Sequence, residues 1–176
     1  MVELDDEVAQ MAKEMIASIE KESEELLDSL KNEVNVLSDS GTERAIERIF
    51  RTNQARANEI NREVAAIRQM LNNIQAQAYK NLVFTELVKS NGPWDLKRTL
   101  GTNTYYTFRW GRYTGEHIGN AHYEYMGKKL NYTNYTLKFA AGFVQILSGT
   151  SDIRFWNSYF DDPRDQEAIQ HGIDIY

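Results

Sequence analysis

Three histidines are the side chains of this chain that titrate near neutral pH without help from their surroundings, and all of them lie in its second half. They are His117, His122 and His171. Glu116 precedes the first of them in a stretch flanked by glycines, and Asp95 and Lys97 follow a tryptophan that comes directly after a proline. A histidine and a carboxylate held in one cleft suffice for general acid–base catalysis, and a nearby lysine stabilises charge that develops on a phosphate or carbonyl oxygen.

Residues 82–138 combine positive charge with aromatic side chains. They contain eight basic and four acidic residues, with tyrosines and tryptophans interleaved among them. A groove for single-stranded nucleic acid uses this mixture, because cations bind the phosphates and rings stack on the bases. The same mixture also suits a sugar polymer, with Glu116 and an aspartate as a carboxylate pair. The side chains expected to contact the substrate are Trp94, Arg98, Arg112, Tyr123 and Lys128.

The chain has no cysteine, which excludes disulfides, thiolate metal sites and cysteine nucleophiles. It also has no HExxH motif or comparable spacing, so the metal site that the sequence suggests, His122 with carboxylates, is a weak one. We therefore predict a mechanism that uses neither a metal nor another cofactor.

The two halves of the chain differ sharply in composition. Residues 1–81 contain two aromatic residues, one glycine, and no proline or histidine. They hold 16 acidic and 10 basic residues, whereas residues 82–176 hold ten of each. Because the acidity belongs to the first half, it does not argue against a polyanionic substrate for the second.

The first half begins with an apolar repeat of eleven residues, which predicts a nearly straight helix with one apolar stripe. This repeat is formed by Leu4, Met15, Leu26 and Leu37. The turn-like residues 38–41 end the helix, and Ser40 with Glu43 predicts a capping box for the next one.

The second helix follows a seven-residue repeat with two core positions. One is taken by Ile46, Asn53, Ile60, Ile67 and Ile74, and the other by Phe50, Ala57, Val64, Leu71 and Ala78. The polar Asn53 is of a residue type that fixes register at some cost in stability. We expect the two helices to fold back as an antiparallel hairpin that self-associates through residues 1–81, because its stripes exceed what one partner helix covers.

The second half is predicted to consist of short elements. Residues 91–94 break the preceding helix. The elements that follow are a strand at 104–110, a loop at 113–119, a helix at 120–130 that ends near Gly127 or Asn131, a buried helix at 135–147, and a last helix that starts at Asp162 and Pro163.

The predicted fold class is therefore α+β and helix-dominated, with a long N-terminal helical hairpin followed by a compact, mostly helical domain with a short β element. Residues 1–81 form the predicted stalk, for delivery or oligomerisation, and residues 82–176 the predicted catalytic domain. No apolar stretch approaches the roughly 20 residues of a membrane span. The chain does not open with a basic region and an apolar run, so we expect no signal peptide.

Three blocks of the second half resemble, in this order, the motifs of the polymorphic toxin type 44 domain. They are Gly92-Pro93-Trp94-Asp95-Leu96-Lys97, residues 119–128 (GNAHYEYMGK) and Ala140-Ala141-Gly142. The resemblance implies a C-terminal toxin module of interbacterial competition with ribonuclease activity and a cognate immunity protein. It also implies that the protein is made in the cytoplasm and reaches a target cell by a route independent of a signal peptide.

The resemblance further implies roles for individual residues. His122 would act as the general acid or base, and Asp95, Lys97 and Asn120 would support it. Asn120 would also contact the substrate. Glu116 is added to these catalytic candidates because of its place beside His117 between glycines, and not because of the resemblance.

Two other functions agree with the same residues. A cell-wall hydrolase toxin would use Glu116 and the aromatic surface on peptidoglycan. A non-enzymatic structural or binding protein of a phage or secretion apparatus would use the stalk and an aromatic binding head.

Overall fold

Long helices occupy the first half of the chain and short elements follow them. The computed structural model describes residues 3–36, 39–109 and 111–137. The elements are helices α1 (Asp6–Val36), α2 (Asp39–Met70), α3 (Asn73–Val88) and α4 (Leu96–Leu100), strands β1 (Tyr105–Phe108) and β2 (Gly111–Thr114), and helix α5 (Gly115–Lys129). Residues 134–137 are also helical. The predictions made for Leu37 and Ser38, for Trp110, for residues 138–147, for the helix at Asp162 and for His171 lie outside the described residues.

Helices α1, α2 and α3 pack against one another in pairs, so a third helix joins the predicted hairpin. The Gln75 side chain, at the start of α3, accepts a hydrogen bond from Asp5 N (3.0 Å) and donates one to Glu3 O (2.9 Å). These contacts join the N-terminal ends of α1 and α3. Between α1 and α2, the Arg56 guanidinium bonds Glu22 at 2.6 Å while also binding Glu59 of its own helix at 2.7 Å.

The seven-residue repeat describes the core only as far as Ile67. Its members from Ile46 to Ile67 are buried, including Asn53 at 2% exposure, but Leu71 and Ile74 are exposed. The prediction of one continuous helix through Ala78 is wrong, because α2 ends at Met70 and Asn72 caps α3 through a hydrogen bond from Gln75 N to Asn72 Oδ1 (2.9 Å). The new helix presents a different face, and Tyr79 and Val83 enter the core instead.

The start of α2 also differs from the prediction. The helix already includes Asp39, so Ser40 lies within its first turn and is not the residue that precedes it. The predicted capping box is therefore wrong in register.

The break after α3 is where the sequence predicts it. The Asp95 carboxylate accepts a hydrogen bond from Asn91 N (3.0 Å), and Asn91 adopts the left-handed conformation at φ 66°. A Cβ on Gly92 would collide with backbone oxygens of α3, one of them Glu86 O at 2.7 Å, so only glycine fits there. This turn folds Trp94 back onto Phe84, with the ring centroids 6.5 Å apart.

The β element is a two-stranded hairpin of β1 and β2. The predicted strand at 104–110 is shorter, because Arg109 turns the chain at φ 52°. The predicted loop at 113–119 is wrong: residues 113 and 114 pair in β2, and α5 begins at Gly115. At the tip of the hairpin, Phe108 packs on Phe50 (centroids 5.3 Å apart) and Arg109 Nε lies 3.0 Å from Glu47 Oε1.

Two compact units result from these contacts. The first comprises Met1–Asp95 with Thr107–Gly111, and the second Leu96–Tyr106 with Arg112–Tyr176. The predicted fold class is confirmed, since long N-terminal helices are followed by short helices and one small sheet. The functional boundary between residues 81 and 82 stays a prediction. Within the described part of the chain, no helix is long and apolar enough to cross a membrane.

Replacing the buried Asn53 tests its predicted role in register. We expect Asn53→Ile to raise the free energy of unfolding by about 1 kcal/mol, or the melting temperature by roughly 2–4 °C, because isoleucine extends the apolar packing of the other buried members of this core position. The change should also broaden the distribution of oligomeric states. Thermal denaturation and light scattering measure both effects. The exposed Asn58→Ile on the same helix is the control, and a lower melting temperature for Asn53→Ile alone would contradict the prediction.

A second prediction concerns alkaline pH. Burial, together with the hydrogen bond to Glu63, raises the pKa of Tyr79 well above its ordinary value near 10. Above pH ~10 the Tyr79 hydroxyl therefore stays protonated in the folded protein but ionises in the unfolded chain. The free energy of unfolding is unaffected by this group below pH ~10, and above it falls by about 1.4 kcal/mol per pH unit. Denaturant titrations at several pH values should show a shallower decline for Tyr79→Phe. Equal slopes for the two proteins would refute this assignment.

Candidate active site

Helix α5 carries half of the predicted site residues, and local hydrogen bonds define both of its ends. At its start, Thr114 is the N-cap, and its Oγ1 accepts a hydrogen bond from His117 N (3.1 Å). At its end, Asn131 takes the left-handed conformation at φ 61°. Asn131 N then bonds Lys128 O and Tyr132 N bonds Gly127 O, both at 3.0 Å, the pattern of a Schellman motif. Of the two ends that the sequence predicts, near Gly127 or Asn131, the structure has the second.

Glycines on α5 let neighbouring segments approach its backbone. A Cβ on Gly119 would lie 2.5 Å from Lys97 Cγ and 2.7 Å from Lys97 N, and one on Gly115 would lie 2.7 Å from Leu100 Cβ. These residues are four apart and so share one face of the helix. Helix α4 therefore rests directly on the α5 backbone.

The position of α4 is also set by strand β1. The Tyr106 hydroxyl donates a hydrogen bond to Leu100 O at 2.6 Å. Burial raises the pKa of this tyrosine, so the hydroxyl remains a donor to a higher pH than an exposed tyrosine would. The packing of α4 on the glycine face of α5 and the hydrogen bond from β1 together hold Lys97 in a defined place.

Polar side chains are buried in the middle of α5. Asn120 is buried, and His122 and Glu124 are each 0% exposed. Removing an imidazole and a carboxylate from water is costly, so buried groups of this kind often mark functional sites. Sequence reasoning missed Glu124; its position four residues after Asn120 would have placed both on one face had the helix been recognised from Gly115 onwards.

The structure brings Lys97 to the face of α5 that bears His122. His122 follows Gly119 by three residues, which is about 60° of rotation on the helix, and Lys97 packs on Gly119. Lys97 therefore lies on the side of α5 from which His122 projects, and its supporting role in catalysis stays a prediction. Asn120 projects from a different face, which it shares with Glu124.

Glu116 is half-exposed in the first turn of α5. It precedes His122 by six residues, so the two side chains leave the helix about 120° apart. On α5 the face of His122 bears no carboxylate. The predicted histidine–carboxylate partnership is thus not formed by neighbours on this helix.

Two predicted residues contribute to the first unit. Asp95 holds the turn at Asn91, and Trp94 is 2% exposed beside Phe84. Both have a structural task as placed, and their predicted roles in catalysis and substrate binding remain predictions.

The remaining predicted contacts lie nearer the surface of the second unit. Tyr123 is half-buried, and its hydroxyl donates to Leu137 O at 3.0 Å. Lys128 is half-exposed, while Arg98 and Arg112 are exposed. His117, which the sequence offered as a second histidine, is half-exposed and stacks on Tyr113 with the centroids 4.8 Å apart.

The described part of the second unit is basic. Residues 96–106 and 112–137 contain five basic side chains and two acidic ones, of which Glu124 is buried. Across the residues with described positions, no group of three histidine, aspartate or glutamate side chains could hold a metal ion.

The contact between α4 and α5 generates a stability prediction. We expect Gly119→Ala to lower the free energy of unfolding by about 1–3 kcal/mol, because the new methyl group meets the backbone of Lys97 as well as its side chain. Adding Lys97→Ala should therefore not restore stability. Chemical denaturation measures the loss, with the half-exposed Lys128→Ala as the control on the same helix. Full rescue by Lys97→Ala would show that the side chain alone limits the approach.

Comparison with known proteins places this site in a family. The family model described as Bacterial toxin 44 matches residues 83–176, which is more than half of the chain and begins inside α3. No curated protein and no solved structure matches the chain. The match contains every predicted site residue, and a toxin domain implies delivery to a target cell. The chain belongs to the Bacterial toxin 44 family.

Proposed function

We propose that residues 83–176 form a ribonuclease toxin whose acid–base group is His122. The observation that carries this proposal is the burial of an imidazole on α5, on the face where Lys97 packs. Burial of a titratable group costs stability that an apolar residue would not cost, so a functional reason is favoured. The excess of basic over acidic side chains in residues 82–138, with aromatic rings interleaved among them, supports a polyanionic substrate.

The chemistry requires two proton transfers and a cation. One group removes the proton of the ribose 2′ hydroxyl while its oxygen attacks phosphorus, and a second protonates the 5′ oxygen while its bond to phosphorus breaks. The products are a 2′,3′-cyclic phosphate and a free 5′ hydroxyl. His122 serves one of these transfers, and the Lys97 ammonium stabilises the charge that develops on the phosphate oxygens.

A cognate immunity protein is the proposed partner of the toxin in the producing cell. The helical first half is the proposed segment for delivery or oligomerisation.

Expression in two bacterial compartments tests this function. We expect the wild type to arrest growth and degrade RNA from within the cytoplasm, and His122→Ala to lose both effects by about 100-fold or more, since general acid–base catalysis is worth about that much. Growth curves and electrophoresis of total RNA are the measurements. Toxicity only after export to the periplasm would instead support the cell-wall hydrolase.

His117→Ala is the matched control for the histidine. It removes an imidazole from the same helix but from a half-exposed position that stacks on Tyr113. We expect it to keep most of the activity. Both variants must retain the wild-type melting temperature, with His122→Gln as a second replacement if alanine destabilises the fold. A folded His122 variant with full activity, or a harmless wild type with intact RNA, would refute the proposal.

A further inference from the structure

Tyr105 places an exposed aromatic ring beside a cation. The residue is 59% exposed on strand β1, and the Arg112 guanidinium carbon lies 5.6 Å from its ring centroid. Arg112 is itself exposed and forms no ion pair with any carboxylate of the described residues. An exposed ring buries little apolar area, so the hydrophobic contribution to folding does not account for it.

The register of the hairpin sets where this ring lies. Gly115 N donates a hydrogen bond to Thr104 O at 2.8 Å, which makes Tyr105 and Thr114 cross-strand neighbours. Thr114 is the N-cap of α5. The ring of Tyr105 therefore lies next to the start of the helix that carries the proposed acid–base group.

The backbone at this helix start is already occupied. Gly115 N bonds Thr104 O, Glu116 N bonds Thr102 O at 3.4 Å, and His117 N bonds Thr114 Oγ1. These N–H groups do not offer a phosphate site of the kind that helix N-termini often form. A phosphate near Tyr105 must therefore be held by a side chain, and Arg112 is the cation in contact with the ring.

We propose that Tyr105 and Arg112 form a binding site for one nucleotide of single-stranded RNA. The base stacks on the tyrosine ring and its phosphate pairs with the guanidinium. A duplex does not bind in this way, because its bases are stacked on one another and their faces are covered. The identity of the polymer rests on the proposed ribonuclease function, whereas binding at this site does not require cleavage.

The experiment measures binding in the full chain with His122→Gln, which prevents degradation of the probe. A short fluorescein-labelled single-stranded RNA of mixed sequence is compared with the same strand in a duplex by fluorescence anisotropy. Tyr105→Ala should weaken single-strand binding about fivefold or more, the lower end expected for one stacked base. Tyr105→Phe should retain binding. Arg112→Ala should weaken it and lower the salt dependence by about one ion.

Tyr135→Ala is the matched control, because this tyrosine is 65% exposed in the same unit but lies outside the hairpin. It should bind RNA as the parent does, and all variants should share one melting temperature. Unchanged binding by Tyr105→Ala, equal affinity for the duplex, or binding of a soluble peptidoglycan fragment in place of RNA would overturn the site.

The two proposals can fail separately. If the parent binds single strands through Tyr105 but the wild type leaves RNA intact, the ribonuclease fails and the binding site stands. If the wild type degrades RNA while Tyr105→Ala binds it undiminished, the binding site fails and the ribonuclease stands.

Discussion

The direct contact of α4 with the backbone of α5 is the constraint on which the second unit depends. It exists because Gly115 and Gly119 present no Cβ on the face that α4 covers, where the Lys97 backbone and Leu100 leave no room for a methyl group. The Tyr106 hydroxyl ties the end of α4 to strand β1, which leads through the hairpin to the cap of α5. The position of Lys97 relative to the face of His122 follows from these contacts.

The core of the first unit contains apolar residues from both sides of residue 83, where the match to the toxin family begins. Helix α3 begins before residue 83 and ends after it, and its buried residues complete the core that α1 and α2 leave open. Phe108, at the tip of the hairpin, packs on Phe50, and the ion pair of Arg109 with Glu47 lies beside it. Segments that belong to the family by sequence thus take part in the same core as the helices that precede it. Compact units and sequence modules need not share a boundary, because cores form wherever apolar faces meet.

Helix α5 departs from the usual pattern of a buried helix. Its central positions are inaccessible to water, yet they include an amide, an imidazole and a carboxylate. Folding stability favours apolar side chains at such positions, and natural proteins depart from this rule mainly at functional sites. Conversely, the exposed members of the predicted set, Arg98 and Arg112, are typical of a surface that meets a charged polymer. Within the second unit, the buried polar side chains and the exposed cations thus occupy different positions.

The sequence by itself determined those features that depend on local chemistry. Periodicity revealed the long helices and the core between Ile46 and Ile67, proline and glycine revealed the break at residues 91–94, and three ordered motifs revealed the toxin family. Tertiary structure decided the rest. In the sequence alone, Gly115 and Gly119 are typical of a loop; only the structure shows that they allow α4 to pack on the backbone of α5. Local reasoning therefore could not find where α5 begins, that Glu124 is buried, or that Lys97 lies on the side of α5 that bears His122. Leu71 and Ile74 continue the seven-residue repeat in sequence, but the new helix that Asn72 caps turns them to solvent. Such outcomes depend on contacts between residues far apart in the chain, which no local pattern encodes.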